Sequence, residues 1–239
     1  MFKKLILKKG YDSKTKSAKL TVVCLHGIAT DSHSWQKAIK FLKGTYSLRK
    51  IRFIAFDWLG YGKSSHSHSL KYDYEDQLTA LSNALAKIDT PIVLVGHSLG
   101  TLLAARYAFE NKKATRHLIL LSPPVYNRDE IKFIQNGPAK NLFYDKLDKK
   151  QLKNRAFNAM MENIVFNIKN QNTFEKLTVK TDLIYGDEDQ LISAKNLSAL
   201  AKRNKKYLNL VKTHGHHGIT RVKYNKIIDI LEEIANEAL

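Results

Sequence analysis

The 239-residue chain predicts an α/β fold: a mainly parallel central sheet flanked by helices, with a helical cap inserted late in the sequence. Three observations predict it. Short, nearly continuous apolar runs alternate with helical patterns through the first half. That rhythm stops between Val125 and about Lys180, and it resumes from Thr181 onward. Runs that are continuous rather than alternating suit strands buried on both faces, and strand–helix alternation suits parallel pairing.

In chain order, the expected strands are Leu20-Thr21-Val22-Val23-Cys24-Leu25, Ile51-Arg52-Phe53-Ile54-Ala55-Phe56, Pro91-Ile92-Val93-Leu94-Val95 and His117-Leu118-Ile119-Leu120-Leu121. Leu78, Leu81, Leu85 and Ile88 recur at helical spacing, and Leu99 to Glu110 is rich in Leu and Ala. After Ser122-Pro123-Pro124 the chain becomes polar, lysine-rich and helix-leaning, with scattered large residues: Tyr126, Phe133, Phe143, Tyr144, Phe157, Met160, Met161, Phe166 and Phe174. This stretch is too long for a structureless loop, so 125–178 is expected to be a helical cap on a core formed by 1–124 and 179–239. Thr181-Asp182-Leu183-Ile184-Tyr185 and Tyr207-Leu208-Asn209-Leu210-Val211 then continue the sheet. Ile227, Ile230, Leu231 and Ile234 mark one face of a last helix.

Composition narrows the function classes. With 44% apolar and 26% charged residues the chain is an ordinary globular mixture, and 11 Gly and 4 Pro exclude collagen-like or linker-like chains. The single cysteine, Cys24, excludes an internal disulfide framework and reads as a small apolar residue of a buried strand. The apolar run Leu5-Ile6-Leu7 is too short for a signal h-region, and no stretch is long enough for a membrane span, so a cytoplasmic protein is the expectation. The net charge of +18 is concentrated in 1–20 and 202–226. No basic repeat, aromatic RNA-binding run or zinc-finger spacing accompanies it, which argues against nucleic acid as the partner. Oligomeric state has no signature.

The chemistry centres on Gly96-His97-Ser98-Leu99-Gly100, directly after one expected strand and directly before a helix. In that context the serine sits on a sharp turn whose flanking glycines avoid crowding of the backbone, and its hydroxyl rises at a helix N-terminus. Here the chain resembles the α/β-hydrolase superfamily over nearly its whole length, in the manner of serine-nucleophile, cap-containing esterases.

The resemblance implies an acid and then a histidine after Ser98. The acid falls on Asp189 in Tyr185-Gly186-Asp187-Glu188-Asp189-Gln190-Leu191-Ile192, with Asp187 and Glu188 as nearby competitors. In Thr213-His214-Gly215-His216-His217 the family's Gly-His pair falls on His216, with His217 as the alternative. His216 would be the general base and Asp189 its orienting partner. The oxyanion hole would use the backbone N–H groups of Leu99 and, after His26-Gly27, of Ile28. Trp35 is expected to pack the following helix rather than touch substrate.

Asp57-Trp58-Leu59-Gly60-Tyr61-Gly62-Lys63-Ser64 matches the family's D-x-x-G-x-G-x-S turn, which shapes the loop beneath the nucleophile. A phosphate-binding loop would need glycine where Asp57 stands, and His66 and His68 lack the further ligands of a zinc site. No cofactor and no metal are expected. The implied function is a carboxylesterase acting on small to medium acyl esters through an acyl-enzyme on Ser98. The alternatives are a C–C bond hydrolase or acyltransferase on the same triad, or a ligand-binding protein with a vestigial one.

Overall fold

The computed structural model describes residues 5–136 and 155–237. Seven strands form one sheet: β1 (Lys8–Asp12), β2 (Leu20–Leu25), β3 (Ile51–Asp57), β4 (Ile92–His97), β5 (Thr115–Leu121), β6 (Thr181–Gly186) and β7 (Leu208–Thr213). Their order is β1-β3-β2-β4-β5-β6-β7. All neighbours are parallel except β1, which runs antiparallel to β3. The six parallel strands are the six expected ones, within a few residues at their ends. The edge strand β1 was not legible because Lys-Lys-Gly-Tyr-Asp carries no apolar run; pairing on one side only leaves it partly exposed.

The helices are α1 (Gln36–Gly44), α2 (Tyr74–Leu85), α3 (Leu99–Glu110), α4 (Arg128–Asn136), α5 (Arg155–Met160), α6 (Ile168–Glu175), α7 (Ala194–Arg203) and α8 (Arg221–Glu237). Alternate residues of each strand face opposite layers. Val23 and Leu25 of β2 join the core shared with α2, α3 and α7, whereas Val22 and Cys24 join the core shared with α1 and α8. Trp35 is fully buried in the second core beside Ala38 and Ile39, as expected of a packing residue. Cys24 is buried there too, and burial pushes its thiol well above the usual range.

Between β5 and β6 the described residues form helices and no strand. Phe143 and Tyr144 lie outside the described residues, as does all of 137–154. Phe157, Met160 and Phe174 are fully buried and continuous with the α2–α3 core, while Phe133 is 60% exposed. A Cβ on Gly60 would meet the Ala156 Cβ at 2.2 Å, so α5 rests directly on the turn after β3.

This topology fixes where a site can lie. From β2 the chain moves outward to β3 and then crosses back to β4 on the other side, so strand order reverses between β2 and β4. A crevice opens at the carboxyl ends of strands at such a reversal. His26-Gly27 and Ser98 follow those two strands.

Candidate active site

Ser98 connects β4 to α3 with φ +50° and ψ −120°, a conformation that L-residues rarely adopt. The surrounding sterics hold it there. A Cβ on Gly96 would lie 2.7 Å from the Gly100 carbonyl oxygen, and one on Gly100 would lie 2.5 Å from that of Leu25. The elbow therefore needs glycine at both positions because backbones approach closely, while the positive φ falls on the serine itself. Ser98 N–H donates to the Leu121 carbonyl at 2.9 Å, and Ser98 O accepts from Thr101 N and Oγ1 at 2.9 and 2.6 Å. The residue is 8% exposed. Leu99 opens α3, and Ile28 follows Gly27, where an added Cβ would meet the Ser98 Cβ at 3.3 Å.

The acid and histidine loops meet beyond β6 and β7. A Cβ on Gly186 would lie 1.9 Å from the Gly215 carbonyl oxygen, so the two backbones press together. Gly215 has φ +114°, and this left-handed residue sends the next two side chains apart. His217 turns inward: its Nδ1 lies 3.0 Å from both carboxylate oxygens of Asp189 and its side chain is 22% exposed. His216 turns outward, 79% exposed, with Nε2 3.2 Å from Glu188. The structure thus sets Asp189 and His217 together beside the Ser98 elbow, and it leaves His216, the expected base, on the outside. The Gly-His pairing counts one residue from Gly215, but the loop's inward position is the second.

Asp189 also separates from its competitors. Burial raises its carboxyl, yet the His217 hydrogen bond and charge, Ser122 and the Leu191 N–H together leave it below the usual carboxylate range. Asp187 is exposed, lowered chiefly by the Gly215 N–H, and faces His214 rather than the interior.

Two further histidines shape the floor of the site. Burial pushes His97 down to about 3. As a neutral ring its Nε2–H donates to the His217 carbonyl at 2.8 Å, with the two rings 5.1 Å apart. Burial likewise pushes His26 to about 4; it donates from Nδ1 to Gly27 O and accepts the Trp58 N–H at Nε2. Asp57 accepts from the Ser32 and Lys63 backbone N–H groups at 2.8 and 3.0 Å, so the D-x-x-G-x-G-x-S turn is a structural brace.

Sequence reasoning missed Lys223. It occupies the buried stripe of α8 four residues before Ile227 and is itself 0% exposed. Its Nζ donates to Ser122 Oγ, His216 O and Gly218 O at 3.0, 2.9 and 2.9 Å. The available signal was a cation in phase with an apolar helix face.

Among the described residues no hydrogen bond joins Ser98 Oγ to the His217 ring; such contacts commonly tighten only with substrate in place. No helix among them is long and apolar enough to cross a membrane.

Comparisons with known proteins agree with this architecture. The chain is 31% identical over 125 residues to the probable lysophospholipase BODYGUARD 2 of Arabidopsis thaliana, covering 51% of this chain and 26% of that protein. The match therefore spans about a quarter of the plant protein's length. A monoacylglycerol lipase of Paleococcus ferrophilus superposes with a TM-score of 0.66 at 18% identity, over 97% of this chain and 100% of the other. An esterase of Exiguobacterium antarcticum does so with a TM-score of 0.69 at 18% identity, over 95% and 94%. The profile of the Alpha/beta hydrolase family matches residues 22–190, from β2 through the loop after β6, and the chain belongs to that family.

Proposed function

We propose that this chain is a serine hydrolase that cleaves small to medium acyl esters, a carboxylesterase working through an acyl-enzyme on Ser98. The observation that carries the reading is the Asp189–His217 pair, a buried carboxylate bonded to an inward imidazole, set beside a serine on a strained elbow. With Nδ1–H committed to Asp189, the neutral ring keeps Nε2 as its acceptor. His217 takes the Ser98 proton as Oγ attacks the ester carbonyl, and Asp189 stabilises the imidazolium that forms. The tetrahedral oxyanion is held by the Ile28 and Leu99 backbone N–H groups, donors that no side-chain change removes. Collapse releases the alcohol with the proton from His217. Water then attacks the acyl-serine, giving its proton to His217, which returns it to Ser98.

In this reading the described helices between β5 and β6 belong to the cap and set the acyl preference. Tyr126 donates to the Leu191 carbonyl, which ties the start of the segment to the acid loop. The lipase, esterase and lysophospholipase relatives favour an ester substrate over the C–C hydrolase and acyltransferase alternatives. The test is a panel of p-nitrophenyl esters of increasing acyl length, run with fluorophosphonate labelling. Wild type should label and turn over, and Ser98→Ala should do neither. A wild type that binds esters but neither labels nor hydrolyses them would identify a vestigial triad.

A further inference from the structure

The 216–218 loop has no regular structure, yet it must hold one ring within hydrogen-bond reach of a buried carboxylate. Its support comes from beneath. The Lys223 ammonium has three hydrogens and meets four acceptors: His216 O and Gly218 O at 2.9 Å, Ser122 Oγ at 3.0 Å and His217 O at 3.5 Å. Three consecutive carbonyls thus converge on one cation. Ser122, itself held at φ +50° at the end of β5, also donates to His217 O at 3.3 Å and helps to keep Asp189 ionised. Among the described residues Lys223 forms no ion pair. A buried, unpaired ammonium is costly, and a helix stabilised only by packing would carry an apolar residue at this position.

We propose that Lys223 is a positioning residue of the active site: by gathering the carbonyls of 216–218 and the Ser122 hydroxyl, its ammonium fixes the loop from which His217 reaches Asp189. The proposal rests on the hydrolase reading above. It has a pH signature. Burial pushes Lys223 down to about 8, opposed by Asp189. The ionisable groups around it are Asp189 after β6, His97 at the end of β4, and His216 and His217 on the loop. Tyr224 on its own helix is turned to the Ile219 carbonyl, and Arg221 and Lys226 are the nearest basic neighbours on α8. Lys223 in turn disfavours a proton on His97. Above about pH 8 the ammonium becomes an amine with two hydrogens for four acceptors, and the loop loosens.

The experiment follows p-nitrophenyl butyrate hydrolysis from pH 6 to 10 by wild type, Lys223→Met and Ser122→Ala, with fluorophosphonate labelling of each. Wild-type kcat should fall above about pH 8 with KM little changed. Lys223→Met should lose roughly tenfold to a hundredfold in kcat, the scale of an ångström's misplacement, with KM within about twofold and no limb near pH 8. Ser122→Ala should lose less and keep the limb. A folded Lys223→Met with wild-type kcat, or with the same alkaline limb, would overturn the proposal, since a packing role alone would not move the pH profile. If Lys223→Met does not fold, a flat wild-type profile from pH 7 to 10 overturns it instead. Rapid wild-type labelling of Ser98 without these Lys223 effects sinks this proposal alone; no labelling sinks the hydrolase reading.

Discussion

The elbow at Ser98 and the loop at His217 each aim one side chain inward, and they do so by different means. In the elbow, 96–100, the constraint is close backbone contact: glycines are required because the backbones of β2 and α3 pass within 3 Å of where their Cβ atoms would be. In the histidine loop, 213–218, a left-handed glycine turns the chain and a buried lysine on the helix that follows holds the carbonyls. Close approaches that demand glycine at both ends of one short motif leave a sequence signature. A clamp assembled from three separate elements leaves almost none.

Substitutions that set one loop against the other test this difference most directly. Ser98→Ala should abolish ester hydrolysis, with a loss approaching the ~10⁶ in kcat that removing the serine costs a serine protease. A mutant retaining even a tenth of wild-type activity would remove Ser98 from the chemistry. His217→Ala should lose nearly as much, while the exposed His216→Ala should stay within about threefold in kcat/KM, as expected for a residue that touches no reacting atom. The reverse ranking would return the base to His216. Asp189→Asn should cost on the order of 10⁴ in kcat, as the equivalent change does in a serine protease, and Asp187→Asn only a few-fold.

How much of this was legible follows the same division. The parallel strands β2 to β6 show as nearly continuous apolar runs because a strand covered on both faces leaves few polar positions, whereas β7, at the sheet edge, carries Asn209 and Lys212 between its apolar residues. Ser98 and Asp189 follow strand ends in fixed patterns, so each had a definite place in the sequence. Which of His216 and His217 turns inward could not be read, because it depends on the φ of Gly215 and on the contact of Gly186 with its carbonyl. Lys223 was visible in phase with Ile227 and Ile230, but its burial depends on carbonyls that only the fold brings to it. Residues 125–178 were read as helical from the absence of a strand pattern. Phe157 and Phe174 are buried in the core shared with α2 and α3, a contact that no pattern in the sequence marks.

Stability should separate the two loops next. Gly100→Ala places a Cβ 2.5 and 2.8 Å from the carbonyl oxygens of Leu25 and His26, and overpacking of that kind costs about 1–3 kcal/mol. Gly215→Ala meets no atom within 4 Å but forces φ +114° on an alanine, at a similar cost of about 1–3 kcal/mol. Gly218→Ala meets neither obstacle and should stay within about 0.5 kcal/mol. Urea unfolding at neutral pH ranks the three. Gly218→Ala as damaging as the others would show that the histidine loop tolerates no added bulk, and would make it steric like the elbow.

A slighter difference divides the two aspartates of the acid loop. Both have folded pKa values below the ordinary carboxylate value, so each stabilises the fold above its unfolded pKa, and that contribution is lost as pH falls through the lower folded value. The window is therefore below about pH 4, the ordinary aspartate range. The two differ in what holds them down. Asp189 is buried, and its hydrogen bonds to His217 and Leu191 are shielded from ions. Asp187 is exposed, and although the Gly215 N–H leads, the charges of His214 and Lys212 also contribute through solvent. Raising salt to 1 M shortens the screening length to roughly 3 Å, which weakens the exposed contribution and spares the buried one. In urea unfolding between pH 5 and 3, Asp189→Asn should flatten the acid loss of stability equally at low and high salt. Asp187→Asn should flatten it slightly at low salt and not measurably at 1 M. If salt erased the Asp189 difference as well, its pairing with His217 would be a solvent-exposed ion pair, and the inward placement of His217 would fail with it.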